Sequence, residues 1–305
     1  MISAAIVIWY NPKTLGEAIS IKNILTYSDF CKKVYIIDNS IEDNSKLADQ
    51  IPNSRYIPNF ENLGIARALN QGCEAAVNDG HIWAMTMDQD SSWDSKYISE
   101  YINEATRIYH IDNSTQSFSP NTVHQNEVHS ILGTIKHNLL KKRRAEKKDN
   151  ENEFEYIDRV ISSGNIINLE MWKTIGGFNN ELFINDVDYD FCYRLTQKGY
   201  KIVKIHKCNM NHVEGEPRKT FFPHAFWYHK ERIYYLVRNK YYILKNYPQF
   251  AKKYKYKQTI KRIIFEKFFF LEFDDLTYVL KGISDGRHNI YGKFYKEKKN
   301  NSVKE

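Results

Sequence analysis

Through the first third of the chain, apolar residues come in short unbroken runs, separated by stretches of helical spacing. Ala4-Ala-Ile-Val-Ile-Trp-Tyr10 reads as a first strand, ended by Asn11-Pro12. Leu15, Ala18, Ile21, Ile24 and Leu25 then recur at roughly helical intervals over Thr14 to Thr26. Val34 to Ile37 predicts a second strand and Arg55 to Ile57 a weaker third. Asn62 stands near the cap of a helix whose Ile65, Leu69, Cys73, Ala76 and Val77 share one apolar face. Ile82 to Met87 is the fourth run, of the kind that fills a strand covered on both faces of a parallel sheet. Strand and helix alternating in this way predict an α/β fold with right-handed crossovers.

The pattern changes in the middle. Ile135 to Glu155 is polar and charged, including Lys141-Lys-Arg-Arg144, and reads as an exposed, mobile insertion. Order returns at Val160 to Leu169, a strand interrupted by Gly164, where another group is expected to approach the backbone. Met171 to Ile175 predicts a short helix stopped by Gly176-Gly177, and Tyr200 to Ile205 a further strand. After Phe221 the chain reads as helical to about Leu280. The expected division is therefore 1–220 and 221–305, with the insertion at about 135–155.

At 305 residues the chain holds one large α/β domain plus an accessory segment. No apolar run reaches bilayer length, and Met1 to Tyr10 lacks a basic leader pattern. The four cysteines form no Cys-x-x-Cys pair, which suits a reduced, cytoplasmic compartment. The net charge of +7 is concentrated: between Lys240 and Phe270 nine Lys and Arg face the single Glu266, interleaved with Tyr and Phe. That segment suits peripheral contact with an anionic membrane surface or an anionic substrate, and equally a solvated helical face. The 141–144 cluster lacks interleaved aromatics, so no nucleic-acid partner is expected.

Candidate chemistry begins where the fourth run ends, at Asp88-Gln89-Asp90. Two carboxylates at the carboxyl edge of a central strand stand where open α/β sheets hold ligands, and hard oxygen donors suit Mg²⁺ or Mn²⁺. A capped strand-to-helix turn is the ordinary alternative. Asp186, Asp188 and Asp190 crowd a helix entry beside Phe183, Ile184, Val187 and Phe191. The helix dipole favours acids there, yet repulsion and partial burial raise a carboxyl pKa toward that of a general base. The residues alone leave open which of the three carries the proton. Asp38 ends the second strand, where an acid can bond a ribose or a base edge. No Gly-x-Gly-x-x-Gly follows the first strand and no P-loop occurs, which disfavours dinucleotide and P-loop sites. His212 is a candidate metal ligand or phosphate contact, and Arg238, beside Asn239, a candidate phosphate clamp.

In order along the chain, Asn11-Pro12, Asp38-Asn39-Ser40, Asn62-Leu-Gly64 with Arg67 and Asn70, Asp88-Gln-Asp90, Ser163-Gly164, Gly176-Gly-Phe178 and Val187-Asp-Tyr-Asp-Phe-Cys-Tyr-Arg194 resemble family 2 glycosyltransferases. The likeness is greatest to a bacterial rhamnosyltransferase-like branch, and Arg238-Asn239 and Gly282-Ile-Ser-Asp-Gly286 extend it to nearly the whole chain. It implies a GT-A fold, a Rossmann-like and mostly parallel sheet flanked by helices, with a helical C-terminal extension. The nucleotide-binding half would be 1–92 and the acceptor half 93–220. It also implies a metal-dependent, inverting transfer from a nucleotide-diphospho-sugar, dTDP-rhamnose or a UDP-hexose, to a glycan or lipid-linked oligosaccharide acceptor. Asn11, Asp38, Asn39, Asn62, Gly64, Arg67, Asn70, Asp88, Gly164 and Arg238 would hold the donor, and Asp88, Asp90 and His212 the metal. Asp188, six residues before Arg194, aligns with the family's base, with Asp186 and Asp190 beside it. The chain departs from the pattern at Val187, in place of the common Glu, and at Asn185-Asp186. Rival readings are a metal-dependent nucleotidyltransferase and a non-catalytic nucleotide- or glycan-binding module.

Overall fold

In the computed structural model the early apolar runs become parallel strands β1 (Ala4–Trp9), β2 (Lys33–Asp38), β3 (Ser54–Pro58) and β4 (Trp83–Asp88). The structure describes residues 2–15, 17–124, 153–212, 216–217, 226–227 and 229–295. Helices α1 (Glu17–Leu25), α2 (Ser45–Ala48) and α3 (Ile65–Asn78) connect the strands. Leu69, Cys73 and Ala76 of α3 are buried and pack against Ile6 and Ile37 of the sheet, which is the predicted apolar face. Tyr35, Ile36 and Ile37 of β2 are fully buried too, because helices or loops cover both faces of this half.

Beyond β4 the chain adds β5 (Ser92–Trp93), α4 (Ser95–Ile111), β6 (Thr115–His124), β7 (Phe154–Ile157), β8 (Asn165–Asn168), α5 (Leu169–Thr174), α6 (Val187–Gln197) and β9 (Lys201–His212). The sheet runs β3-β2-β1-β4-β8-β6-β9-β5, with β7 also on β9. The parallel expectation for Ile82 to Met87 therefore holds on one side only. β4 is parallel to β1, whereas β8 on its other flank is antiparallel. β8 is also shorter than the predicted Val160–Leu169 strand, since Ser162 to Gly164 turn across the end of β4. The charged insertion lies outside the described residues up to 152, and its expected end at Glu155 is already inside β7.

A short pair, β10 (Glu216–Pro217) and β11 (Phe226–Trp227), precedes the helices; β11 falls inside the stretch expected to be helical, Phe221 lies outside the described residues, and among the described residues these helices begin at Lys230. These are α7 (Lys230–Asn246), α8 (Pro248–Lys253), α9 (Tyr256–Phe269) and α10 (Phe273–His288). α7 and α10 pack along each other, and Phe183, ahead of α6, stacks on Tyr235 with ring centroids 4.8 Å apart. Helices and sheet therefore meet at the loop that leads into α6. Among the described residues no helix is long and apolar enough to cross a membrane. All four cysteines are free and buried.

Candidate functional site

The register of the parallel strands gathers the site. Trp9 at the end of β1 is paired with Asp38 of β2, and Ile8 with Asp88 of β4. A cleft of about 410 Å³ opens over these carboxyl ends, walled by Asn39, Asn62, Gly64, Asp88 and Asp90 on the sheet side. Phe183 to Asn185, Val187, Asp188 and Arg232 also line it. That volume fits the usual size of a small-molecule site.

At the end of β4, one ligand atom each from Asp88, Asp90 and His212 lies within 4.8 Å of the others. β9 supplies the histidine, as its last residue and not beyond its end as expected. The His212 Nδ1 is 2.8 Å from Ser91 Oγ and 3.5 Å from Asp90 Oδ1, and Ser163 Oγ donates to Ser91 Oγ at 2.7 Å. Two carboxylates and an imidazole held in this way are a donor set that fits a divalent cation. Burial and then the Asp90 charge push the Asp88 carboxyl up to about 6, while His212 and Arg232 pull it back.

The same cleft is lined by Asp188, half-buried in the first turn of α6. Burial pushes its carboxyl up to about 7, helped by the charges of Asp186 and Asp88 and opposed by the Tyr189 amide, which donates to Oδ1 at 2.9 Å. The loop before it is strained: Phe183, Asn185 and Asp186 have φ of 64°, 63° and 55°. Two buried side chains of α7 hold that loop. Arg238 donates to the carbonyls of Glu181, Leu182 and Gly292, and Asn239 to those of Leu182, Ile184 and Asn185.

The structure separates the three clustered acids. Asp186 takes the αL position ahead of α6 without capping it, and its carboxylate meets Lys240 Nζ at 3.3 Å and the Tyr256 hydroxyl. Asp190 is fully buried, with one oxygen on Arg194 at 2.8 Å and the other on the Tyr247 hydroxyl at 2.7 Å. Neither lines the cleft, so Asp188 alone of the three faces it.

Several expected donor contacts also lie elsewhere. Asp38 is buried, its oxygens bonded by the Ser40 amide, the Asn44 amide group and the Tyr56 hydroxyl; Asn39 takes its place in the cleft wall. Asn70 ties Phe178, Asn180 and Trp172 to α3, and Arg67 is exposed away from the cleft lining. Asn11 is exposed beside the mouth, where its amide donates to Ser40 Oγ at 2.8 Å. Gly164 does have a close neighbour, but it is the Met210 sulfur, 2.6 Å from where a Cβ would stand, and not a ligand. Arg238 faces backbone carbonyls and is fully buried, so it presents no clamp to a phosphate. Asn62 and Gly64 do line the cleft: the Asn62 carboxamide oxygen accepts from the Gly64 amide at 3.0 Å.

The model for Glycosyl transferase family 2 matches residues 3–163, just over half of the chain. The chain belongs to this family. The transferase is 26% identical over 245 residues to the dTDP-rhamnosyl transferase RfbF of Shigella flexneri, covering 79% of each chain. Its fold is similar to that of the crystal structure of GalNAc-T7 with UDP, GalNAc and Mn²⁺, at 12% identity and a TM-score of 0.54. That likeness covers 85% of the transferase but 54% of the GalNAc-T7 chain, so the transferase spans about half its length. The crystal structure of S. aureus TarS 1-349 matches at 14% identity and a TM-score of 0.50, over 81% of the transferase and 66% of that chain. The GT-A architecture expected from the sequence is borne out.

The transferase's cleft also contains residues that sequence reasoning passed over. Gln89 points its side chain back at Tyr10, accepting from the Tyr10 amide at 2.9 Å and donating to its carbonyl at 3.1 Å, which joins the β1 and β4 ends. Arg232 reaches the cleft from the first turn of α7. Its signal was available: Lys230 and Arg232 occupy a helix N-terminus, where the dipole disfavours cations unless an anion is nearby.

Proposed function

We propose that the transferase moves a sugar from a nucleotide-diphospho-sugar to a hydroxyl of a growing bacterial surface glycan, with inversion at the anomeric carbon. The observation that carries this reading is one cleft lined both by the cluster of Asp88, Asp90 and His212 and by Asp188. The half 1–92 would hold the nucleotide and 93–220 the acceptor. dTDP-rhamnose is the first donor to test, because the relative RfbF is a dTDP-rhamnosyl transferase; a UDP-hexose is the second. The four buried, free thiols fit work in the cytoplasm.

Asp188 would accept the proton of the acceptor hydroxyl as its oxygen attacks the anomeric carbon, while the bond to the donor diphosphate breaks on the opposite face. A carboxyl held near 7 is a fit base at physiological pH. A Mg²⁺ or Mn²⁺ ion at Asp88, Asp90 and His212 would neutralise the diphosphate and the charge it gains on leaving. Arg232 would add a cation beside the same group, and the Tyr10 ring, half-exposed at the cleft, offers a face for a nucleobase. Ile8, Ile161 and Ile184 add apolar lining, which limits attack by water.

The test is a thermal-shift panel of UDP, dTDP, GDP and CDP, each with and without Mn²⁺, followed by diphosphate release from the matching nucleotide sugars. One diphosphate should raise the melting temperature only with metal, and Asp90→Ala should abolish the shift. No shift with any of the four would overturn the reading.

A further inference from the structure

The nine basic residues counted between 240 and 270 do not form one surface. Lys240 is buried against Asp186, Lys253 meets Asp158, and Lys267 turns inward to Glu272 and Asp275 at 2.7 Å each. Of the other six, Lys245, Lys252 and Lys255 are exposed before α9 begins, and Lys257, Lys261 and Arg262 are exposed on α9 itself. Tyr256, Ile260, Ile263 and Lys267 face inward, whereas Lys257, Lys261, Phe265 and Phe269, four apart, form one exposed stripe with Arg262 and Phe268 beside it. The stripe is basic in its first half and aromatic in its last turn. The turn into α10 continues it with Leu271, held at a φ of 56°, and Phe273. Phe265, Phe268, Phe269, Leu271 and Phe273 are each between 52% and 68% exposed, a concentration of large apolar side chains far above scattered surface residues.

We propose that the α9–α10 edge is a docking surface for an anionic lipid bilayer. The aromatic turn enters the interface, and Lys257 and Lys261 lie over the headgroups, while Arg262 pairs with Glu266 at 3.3 Å. The charge pattern favours this occupant over a second copy of the chain, since a two-fold contact would set the same basic collar against itself. Acids of the turn do not oppose it: Glu272 and Asp275 are held by Lys267, and Asp274 by Lys230 at 2.9 Å. That last pair also fixes where the surface lies. Lys230 is two residues before Arg232, which lines the cleft, so the aromatic turn borders the cleft end of α7. An acceptor carried on a lipid would then reach the cleft from the membrane that the turn enters. The proposal deepens the glycosyltransferase reading by naming the surface on which its acceptor would be met.

The test is co-sedimentation of the full chain with vesicles of phosphatidylcholine alone and with one quarter phosphatidylglycerol. Anionic vesicles should bind it, and raising salt from about 0.05 M to about 0.5 M should weaken binding by roughly tenfold or more. Phe268→Ser with Phe269→Ser, and separately Lys257→Glu with Lys261→Glu, should each reduce partitioning about tenfold. Both pairs alter exposed side chains, so their melting temperatures serve as folding controls. Equal binding to neutral vesicles would overturn the proposal. So would self-association in vesicle-free solution that the Phe pair abolishes while vesicles are ignored. The nucleotide thermal shift, measured without vesicles, separates the two readings. A shift that persists when vesicle binding fails overturns the docking alone, and vesicle binding without any nucleotide shift overturns the donor site alone.

Discussion

The side-chain nitrogen of Asn239 donates to the carbonyl oxygen of Asn185 at 2.8 Å, at a residue whose φ of 63° bends the chain toward Asp188. The same nitrogen donates to Ile184 at 2.7 Å and Leu182 at 3.0 Å, and its oxygen accepts from Arg238 Nε at 2.9 Å. A buried amide thus holds a strained loop that few local interactions would keep in place. Asn239→Ala removes this donor from the Ile184 and Asn185 carbonyls, while Leu182 keeps Arg238, and should cost roughly 2–4 kcal/mol in urea denaturation. Sugar transfer should fall further than donor binding, because Asp88 and Asp90 are carried by a different element. An unchanged midpoint with full transfer would show that the loop is held by other means.

Gly64 sits where the sheet wall meets that loop. Its φ is +83°, and a Cβ there would stand 2.6 Å from both the ring and the carbonyl oxygen of Phe183. That carbonyl accepts from the Ile65 amide at 2.7 Å, at the start of α3, so it cannot withdraw freely. Gly64→Ala should therefore destabilise the fold by roughly 2–4 kcal/mol, readable as a lowered melting temperature. Tolerance of alanine at this position would mean that the loop yields easily.

The parallel half of the fold was legible because β1, β2 and β4 are covered on both faces and spell apolar runs. β6 was not. Thr115 to His124 is largely polar, contains Pro120, and shifts register between Pro120 and Asn121, so neither alternation nor an apolar run marks it. In the site, Asp88, Asp90 and Asp188 could be read from strand and helix ends, which are local features. The surroundings of Asp190 and Arg238 could not be read in the same way, because partners distant in sequence take up their polar groups. Tyr247 meets Asp190 across 57 residues and Leu182 meets Arg238 across 56, and no local pattern encodes such pairs. The same holds for Asp186, whose Lys240 lies 54 residues away.

Metal dependence can be tested at the three converging side chains. His212→Ala removes the one nitrogen donor and should weaken Mn²⁺ binding by about 10–100-fold, measured by calorimetry. Asp90→Ala should weaken it at least as much, since it removes a negative oxygen donor. Chelator treatment should abolish transfer, and added Mn²⁺ should restore it. Full activity after exhaustive chelation would remove the metal from the mechanism and leave Arg232 as the cation facing the diphosphate.

Asp188 makes the sharpest demand on pH. Its carboxyl is pushed up to about 7 from an ordinary 3.8, so the charged base is scarce at pH 6 and dominant at pH 8. Transfer should rise with pH through about 7 and then level off, whereas a fully solvated carboxylate would give a plateau from about pH 5. Stability runs the other way. Between pH 4 and 7 the native state holds a proton that the unfolded chain has lost, so stability present below about pH 4 declines as pH rises through 7. Asp188→Asn keeps the shape and removes the charge. At pH 8 it should be more stable than the parent by roughly 1–3 kcal/mol, with the advantage fading toward pH 4. Donor binding should survive in this variant while transfer falls about 10²–10⁴-fold. Undiminished transfer would move the base to another residue, and a stability gain equal at pH 4 and pH 8 would mean that the carboxyl titrates as an ordinary one.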